Sequence, residues 1–179
     1  MPAKHEEASM TAAASKSFGE REVTITRLVD APRSLVFKAW TNPEMLAQWW
    51  GPKGFTAPVC EFDARLGGRF RIHMRAPDGT IYPMRGEIRE FVPMERLVFT
   101  NIAVDAADKP IIEGLTEVRF ADEGGKTRLT VQTRGTAVVD YAVAHLQGME
   151  MGWTMSIDKL QAFLANAAGG SAGRPGQGD

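Results

Sequence analysis

The sequence predicts an α+β fold, a curved antiparallel sheet wrapped around a long C-terminal helix, with two short helices after the first strand. Three observations predict it. Across residues 55–133 the hydrophobic period is two, interrupted by turn signals, which builds successive hairpins into one sheet. Across residues 139–164 the spacing changes to three and four, and Leu146, Met149, Trp153, Ile157, Leu160 and Leu164 share one helical stripe. That stripe must cover something apolar, and the concave face of the sheet is the large partner available.

The elements follow in order. Residues 22–29 (EVTITRLV) are β-branched and roughly alternating, a strand. Ala31-Pro32 then opens a helix, because proline lacks an N–H that would have no partner in a first turn anyway. Leu35, Val36, Ala39 and Trp40 recur at helical spacing. Asn42-Pro43 repeats the start signal for a second short helix carrying Met45, Leu46 and Trp49, and Gly51-Pro52 stops it. Phe70, Ile72 and Met74 alternate with Arg69, Arg71, His73 and Arg75, a strand with one wet face. Pro77-Asp78-Gly79 turns the chain into Tyr82, Met84, Gly86 and Ile88, which alternate with Arg85, Glu87 and Arg89. Pro93-Met94-Glu95 marks the next turn, before a strand over 96–103. Val118 and Phe120, then Asp122 to Gly125, then Leu129 and Val131 give a last hairpin.

The 179 residues suit one domain with flanks. Residues 1–21 read as a flexible arm poor in apolar anchors, 22–165 as the folded domain, and 166–179, with five glycines and a proline, as a disordered tail. A hydrophobic fraction of 44% supports a sizeable core, and a net charge of −1 argues against nucleic acid as the general partner. A single cysteine, Cys60, excludes a disulfide framework and any zinc site of several thiolates. No apolar run approaches the roughly 18 residues of a membrane span, and no signal segment precedes the domain, so the expected location is cytoplasmic without membrane insertion.

Ordered motifs carry a resemblance. They are Arg27, Ala31-Pro32, Val36-Phe37, Trp40-Thr41 and Pro43-Glu44, then Trp49-Trp50-Gly51-Pro52-Lys53-Gly54-Phe55. Asp63, Arg65-Leu66-Gly67-Gly68-Arg69-Phe70, Pro77-Asp78-Gly79, Gly86-Glu87-Ile88, Gly152-Trp153 and Asp158-Lys159-Leu160 continue them. Together they resemble bacterial proteins similar to the C-terminal domain of the activator of heat-shock protein 90 ATPase, in the START-like (SRPBCC) superfamily. The resemblance implies a helix-grip fold over residues 23–165, with a ligand site in the gap between helix and sheet. It implies three functional classes, because the fold hosts many. The first is binding of a small hydrophobic molecule, in the setting of a stress response. The alternatives are a chaperone-associated interaction module and a cyclase-like enzyme.

Gly148 and Gly152 interrupt the closing helix, each at a cost of about 0.8–1 kcal/mol relative to alanine. Close packing of helix on sheet is one account of them. Room for a ligand is the other, and the flexible, polarizable methionines around them suit varied apolar shapes. Strand parity turns Phe70, Ile72, Met74, Met84 and Ile88 inward; with Met149 and Trp153 from the helix and Trp49 or Trp50 at one end, they form the expected ligand-binding set.

Other constellations are weaker. Met149 and Met151 lie about 200° apart on a helix, so they cannot converge on a soft metal with His145 and Met155, and no metal or cofactor is expected. His73 and Glu87 alternate onto the outer face, Cys60 reads as inert core, and Gly125-Lys126-Thr127 is a hairpin turn, so no catalytic set emerges. Seven basic against four acidic residues over 64–96 concentrate arginine on the outer face. A solvated strand face is the ordinary origin of such a pattern. The functional alternative makes Arg71 and Arg85 a docking site for an acidic protein or chaperone partner. Aromatic residues do not interleave with these arginines, which argues against single-stranded nucleic acid.

Overall fold

A computed structural model describes residues 17–169. Seven strands, β1 (Gly19–Val29), β2 (Thr56–Phe62), β3 (Arg69–Arg75), β4 (Ile81–Val92), β5 (Arg96–Val104), β6 (Pro110–Glu123) and β7 (Lys126–Ala137), form one antiparallel sheet. Its order is β1-β7-β6-β5-β4-β3-β2, so the first two strands are the two edges. The chain crosses from one edge to the other through α1 (Arg33–Thr41) and α2 (Pro43–Trp49), and it closes with α3 (Val143–Gln147) and α4 (Met149–Gly169). This is the helix-grip arrangement, with the sheet curved around the last helix.

Local chemistry sets the boundaries. Asn42 stands between the two short helices and caps α2, its Oδ1 accepting from the Met45 N–H at 3.0 Å, with Pro43 opening the helix. The β6–β7 hairpin turns on Gly124 and Gly125 at φ +61° and +85°, the paired positive angles of a type I′ turn. Irregular register between Ile88 and Glu90, and between Ala103 and Val104, bends the sheet.

Three expectations are corrected at the ends. Strand β1 begins at Gly19 rather than residue 22, because Phe18 and the residues after it pair with the end of β7. The closing helix is not continuous from 139. A 3₁₀ turn (Asp140–Ala142) and α3 precede a break at Gly148, after which α4 begins. The break is held from the β1 edge of the sheet: Arg21 donates to the Leu146 carbonyl at 3.1 Å and to that of Gln147, and pairs with Glu150 at 2.9 Å. Those are carbonyls that the end of a helix leaves without partners. Finally, α4 runs through Gly169, into the stretch read as tail. The rest of that tail, 170–179, and residues 1–16 of the arm lie outside the described residues.

The concave face buries two apolar clusters. The larger gathers Trp40, Trp49, Phe99, Leu97, Val118, Phe120, Leu129 and Val131 under Ile157, Leu160 and Leu164 of α4. The smaller joins Ile111, Ala137, Ala142 and Leu146 beneath α3. Helix α4 is fixed to the sheet edge by Arg27, which donates to Asp158 at 2.7 Å and Gln161 at 3.1 Å.

A cavity between helix and sheet as candidate functional site

Between the two clusters the concave face carries small or polar residues. Asn101 and Ala103 on β5, Gly114 and Thr116 on β6, and Thr133 and Gly135 on β7 share the inward parity of buried Phe99, Val118 and Val131. Opposite them, α4 presents Met149, Gly152, Trp153 and Ser156, spaced three, four and seven along one face. Short side chains on the sheet, with Gly152 and Ser156 on the helix, leave a gap that larger residues fill elsewhere. The result is a cavity of about 250 Å³, lined by Trp50, Gly51, Pro52, Met74, Met84, Asn101, Ala103, Ile112, Leu146, Met149, Gly152, Trp153 and Ser156. Tyr82, Pro83 and His145 complete the lining, with Tyr82 and His145 edge to face at 6.0 Å and both exposed at the rim.

The wall from Trp50 to Phe55 is an irregular loop, with Gly51 and Gly54 at φ +97° and +86°. Lys159 of α4 holds it: the ammonium donates to the carbonyls of Trp50, Gly51, Pro52 and Phe55 at 3.2–3.5 Å. Burial lowers the pKa of this lysine from its ordinary value. All four tryptophans of the chain meet behind this wall. Trp40 stacks on Trp153 at 6.1 Å and meets Trp49 edge to face at 4.7 Å, while Trp50 meets Trp153 at 5.3 Å. Two members of the cluster line the cavity and two lie in the core.

The expected ligand set therefore divides. Trp50, Met74, Met84, Met149 and Trp153 line the cavity. Trp49, Phe70, Ile72 and Ile88 do not; the structure places them in the closed end of the core, with Trp49, Ile72 and Ile88 fully buried. For the three strand residues, parity assigned the face but not the distance along it. Phe70 stacks on Phe62 at 5.7 Å and meets Phe99 edge to face at 5.4 Å, which fills the space between sheet and helices there. Sequence reasoning missed Asn101, Ala103, Ile112, Ser156, Tyr82 and a wall role for His145. The signal available for the first group was the run of small inward residues on β5 to β7.

On the outer face, Arg71 and Arg85 are directly opposed across β3 and β4. Together with Arg69, Arg89, Glu61 and Glu87 they border a second, charged depression. Arg71 pairs with Glu61 at 3.4 Å, Arg85 with Asp108 at 3.3 Å and Arg89 with Glu87 at 3.8 Å. Among the described residues no group of three His, Cys, Asp or Glu side chains could hold a metal ion, and no helix is long and apolar enough to cross a membrane.

Cys60 packs half-buried against the larger cluster, and burial pushes its thiol pKa from 9.0 up to about 11. Because the thiolate is the nucleophile, that rise leaves about 100-fold less reactive species at pH 8. Native protein should therefore react with Ellman's reagent about 100-fold more slowly than urea-unfolded protein at the same pH. Equal rates would contradict the buried placement.

Comparison with known proteins agrees with this fold. The family described as Activator of Hsp90 ATPase homolog 1-like protein matches over residues 30–165. A search of the curated proteins found no match. Among solved structures, a protein from Chromobacterium violaceum is 28% identical, covers 79% of this chain and 94% of its own, and superposes with a TM-score of 0.69. One from Mycobacterium smegmatis is 27% identical over 80% of this chain and 90% of its own, at 0.67. The AHSA1 protein from Silicibacter pomeroyi, at 24% identity over 82% and 99% and a TM-score of 0.69, shows the shared fold. With well over half of its sequence matched in one stretch and the helix-grip architecture in place, the chain belongs to the Activator of Hsp90 ATPase homolog 1-like family.

Proposed function

We propose that this domain binds a small apolar molecule in the cavity between α4 and the sheet. One observation carries the reading: two apolar clusters flank a gap that, among the described residues, no side chain fills. Protein interiors ordinarily close to crystal-like density, so a lined gap between two well-packed clusters marks a place for something else. Its size suits a compact ligand. About 250 Å³ exceeds the roughly 150 Å³ that accepts benzene in an engineered core and falls short of the roughly 300–1,000 Å³ of drug-sized sites. The thioethers of Met74, Met84 and Met149 give the walls adaptability.

The test is titration with 1-aminoanthracene, whose emission rises on leaving water. Saturable binding is expected. Met84→Glu, which places a carboxylate in the apolar wall, should weaken it at least about 10-fold, since a buried unpaired charge is costly. Gly152→Leu should do the same by filling the space; a Cβ there meets only Pro52, at an ordinary 3.7 Å. Binding indifferent to both substitutions, in variants whose circular dichroism is native, would sink the proposal.

Docking of an acidic partner or chaperone on Arg71 and Arg85 is the alternative. The carboxylates already beside both arginines give it less support, because a partner would have to displace them.

A further inference from the structure

The cavity is not uniformly apolar. Asn101 projects into it from β5, and its carboxamide is held in one orientation by a chain of hydroxyls. Thr133 and Thr116 share a hydrogen bond of 2.8 Å, and Thr116 donates to Asn101 Oδ1 at 2.7 Å. Thr116 and Thr133 are both fully buried, so this chain is part of the folded interior and not a solvent-made arrangement. With Oδ1 committed as the acceptor, Nδ2 is turned the other way, and among the described residues it donates to no protein group. Gly114, directly across from Asn101 in the sheet, makes room for this. A Cβ at position 114 would lie 2.7 Å from Nδ2.

The other polar groups of the lining are differently placed. Ser156 donates its hydroxyl to the Gly152 carbonyl at 2.9 Å. Tyr82 and His145 stand at the exposed rim. Lys159, the cation nearest in sequence to the α4 wall, is engaged by four loop carbonyls. Among the described residues the lining thus offers the Asn101 amide, with the indole N–H groups of Trp50 and Trp153, as neutral donors and no unengaged lysine or arginine.

We propose that Asn101 Nδ2 is the polar anchor of the site, and that the ligand is a neutral, compact apolar compound bearing a carbonyl oxygen, such as an aryl ketone, ester or lactone. The inference rests on the binding reading above and names the ligand class for it. A carboxylate would enter without a counter-charge and lose its hydration, whereas a carbonyl needs the one hydrogen bond that Asn101 supplies.

Three probes separate the terms: acetophenone, α-methylstyrene, in which C=CH₂ replaces C=O at nearly constant shape, and benzoate. Dissociation constants are measured by ligand-observed NMR for the wild type, Asn101→Leu and Asn101→Asp. The ketone is better solvated in water than the hydrocarbon, but that difference is common to all three proteins and cancels in the ratio of their constants. On Asn101→Leu the ratio should move roughly 2- to 12-fold in favour of α-methylstyrene, the worth of one neutral hydrogen bond. Asn101→Asp keeps an acceptor for Thr116 and removes the donor, so it should move the ratio the same way even if the leucine variant fails to fold. In wild type, the ¹⁵N signal of the Asn101 side-chain amide should shift with acetophenone and much less with α-methylstyrene. An unchanged ratio in a folded variant, or benzoate bound as tightly as acetophenone, would overturn the anchor while leaving the cavity reading intact. Binding of neither acetophenone nor α-methylstyrene to the wild type would remove both.

Discussion

Gly86→Ala should destabilise the domain by about 3 kcal/mol or more, and Gly86→Val should prevent folding. A Cβ at this position would lie 1.8 Å from the Thr100 carbonyl oxygen and 2.4 Å from the Phe70 ring. Neither neighbour can retreat. The oxygen belongs to the backbone of β5, one strand over, and Thr100 is further tied there by its hydroxyl, which accepts from the Glu87 N–H at 2.9 Å. The ring is wedged between Phe62 and Phe99. Overpacking ordinarily costs about 1–3 kcal/mol where side chains can adjust, and more where the backbone must move. Against a total of about 5–15 kcal/mol for a domain, that is a large fraction. The urea midpoint of Gly86→Ala measures it, with Gly152→Ala as the control. There a Cβ meets ordinary contact only, and helix propensity should make the change neutral or stabilising by up to about 1 kcal/mol. A Gly86→Ala protein as stable as wild type would mean that Phe70 does not lie over this glycine. The position also bears on the site, because it fixes the β3–β4–β5 junction from which Met84, two residues earlier, reaches the cavity.

Gly86 also illustrates what sequence alone can carry. Its inward parity was legible, because alternation over Tyr82 to Ile88 needs only a local period of two. The same reasoning placed Met74 and Met84 on the right face and supplied the hairpins and the order of elements. What it could not supply was position along the face. Ile72 and Met74 have the same parity, yet one is core and the other wall, and the difference comes from what stands opposite. Met74 shares the lining with Gly51 of the loop, Ala103 of β5 and Gly152 of α4, whereas Ile72 lies among large side chains. That comparison needs strands far apart in sequence to be in register. The break at Gly148 was hidden for the same reason. A glycine inside a helical stripe is compatible with a continuous helix, and the group that accepts the break, Arg21, lies 125 residues from Leu146. The cap at Asn42 is the opposite case: donor and acceptor are three residues apart, and the sequence signal was sufficient.

Trp49→Ala should cost about 3–5 kcal/mol of stability, the range for removing a fully buried tryptophan, and yet leave the lining of the cavity intact. Trp49 and Trp50 are adjacent in the chain, and both belong to the expected ligand set, but the end of α2 sends their rings different ways. Trp49 turns into the core, where its indole N–H donates to the Ala39 carbonyl at 3.0 Å and ties α2 to α1. Trp50 begins the loop held by Lys159 and faces the cavity. Chemical denaturation of Trp49→Ala gives the stability term. Because a loss of that size leaves little folded protein to titrate, Trp49→Phe and Trp50→Phe are the pair for binding. Phenylalanine at 49 should leave the 1-aminoanthracene dissociation constant within about 2-fold of wild type, since Trp40 and Ala39 are not in the lining and Trp50, 5.7 Å away, is also held by Trp40 and Trp153. At 50 it removes part of the wall and should weaken binding by more than that, as about 25 cal/mol is lost per Å² of apolar contact. Equal loss at both positions would mean that the tryptophan cluster moves as one body, and that the wall is set by packing of α1 on α2 more than by the side chain that faces the cavity.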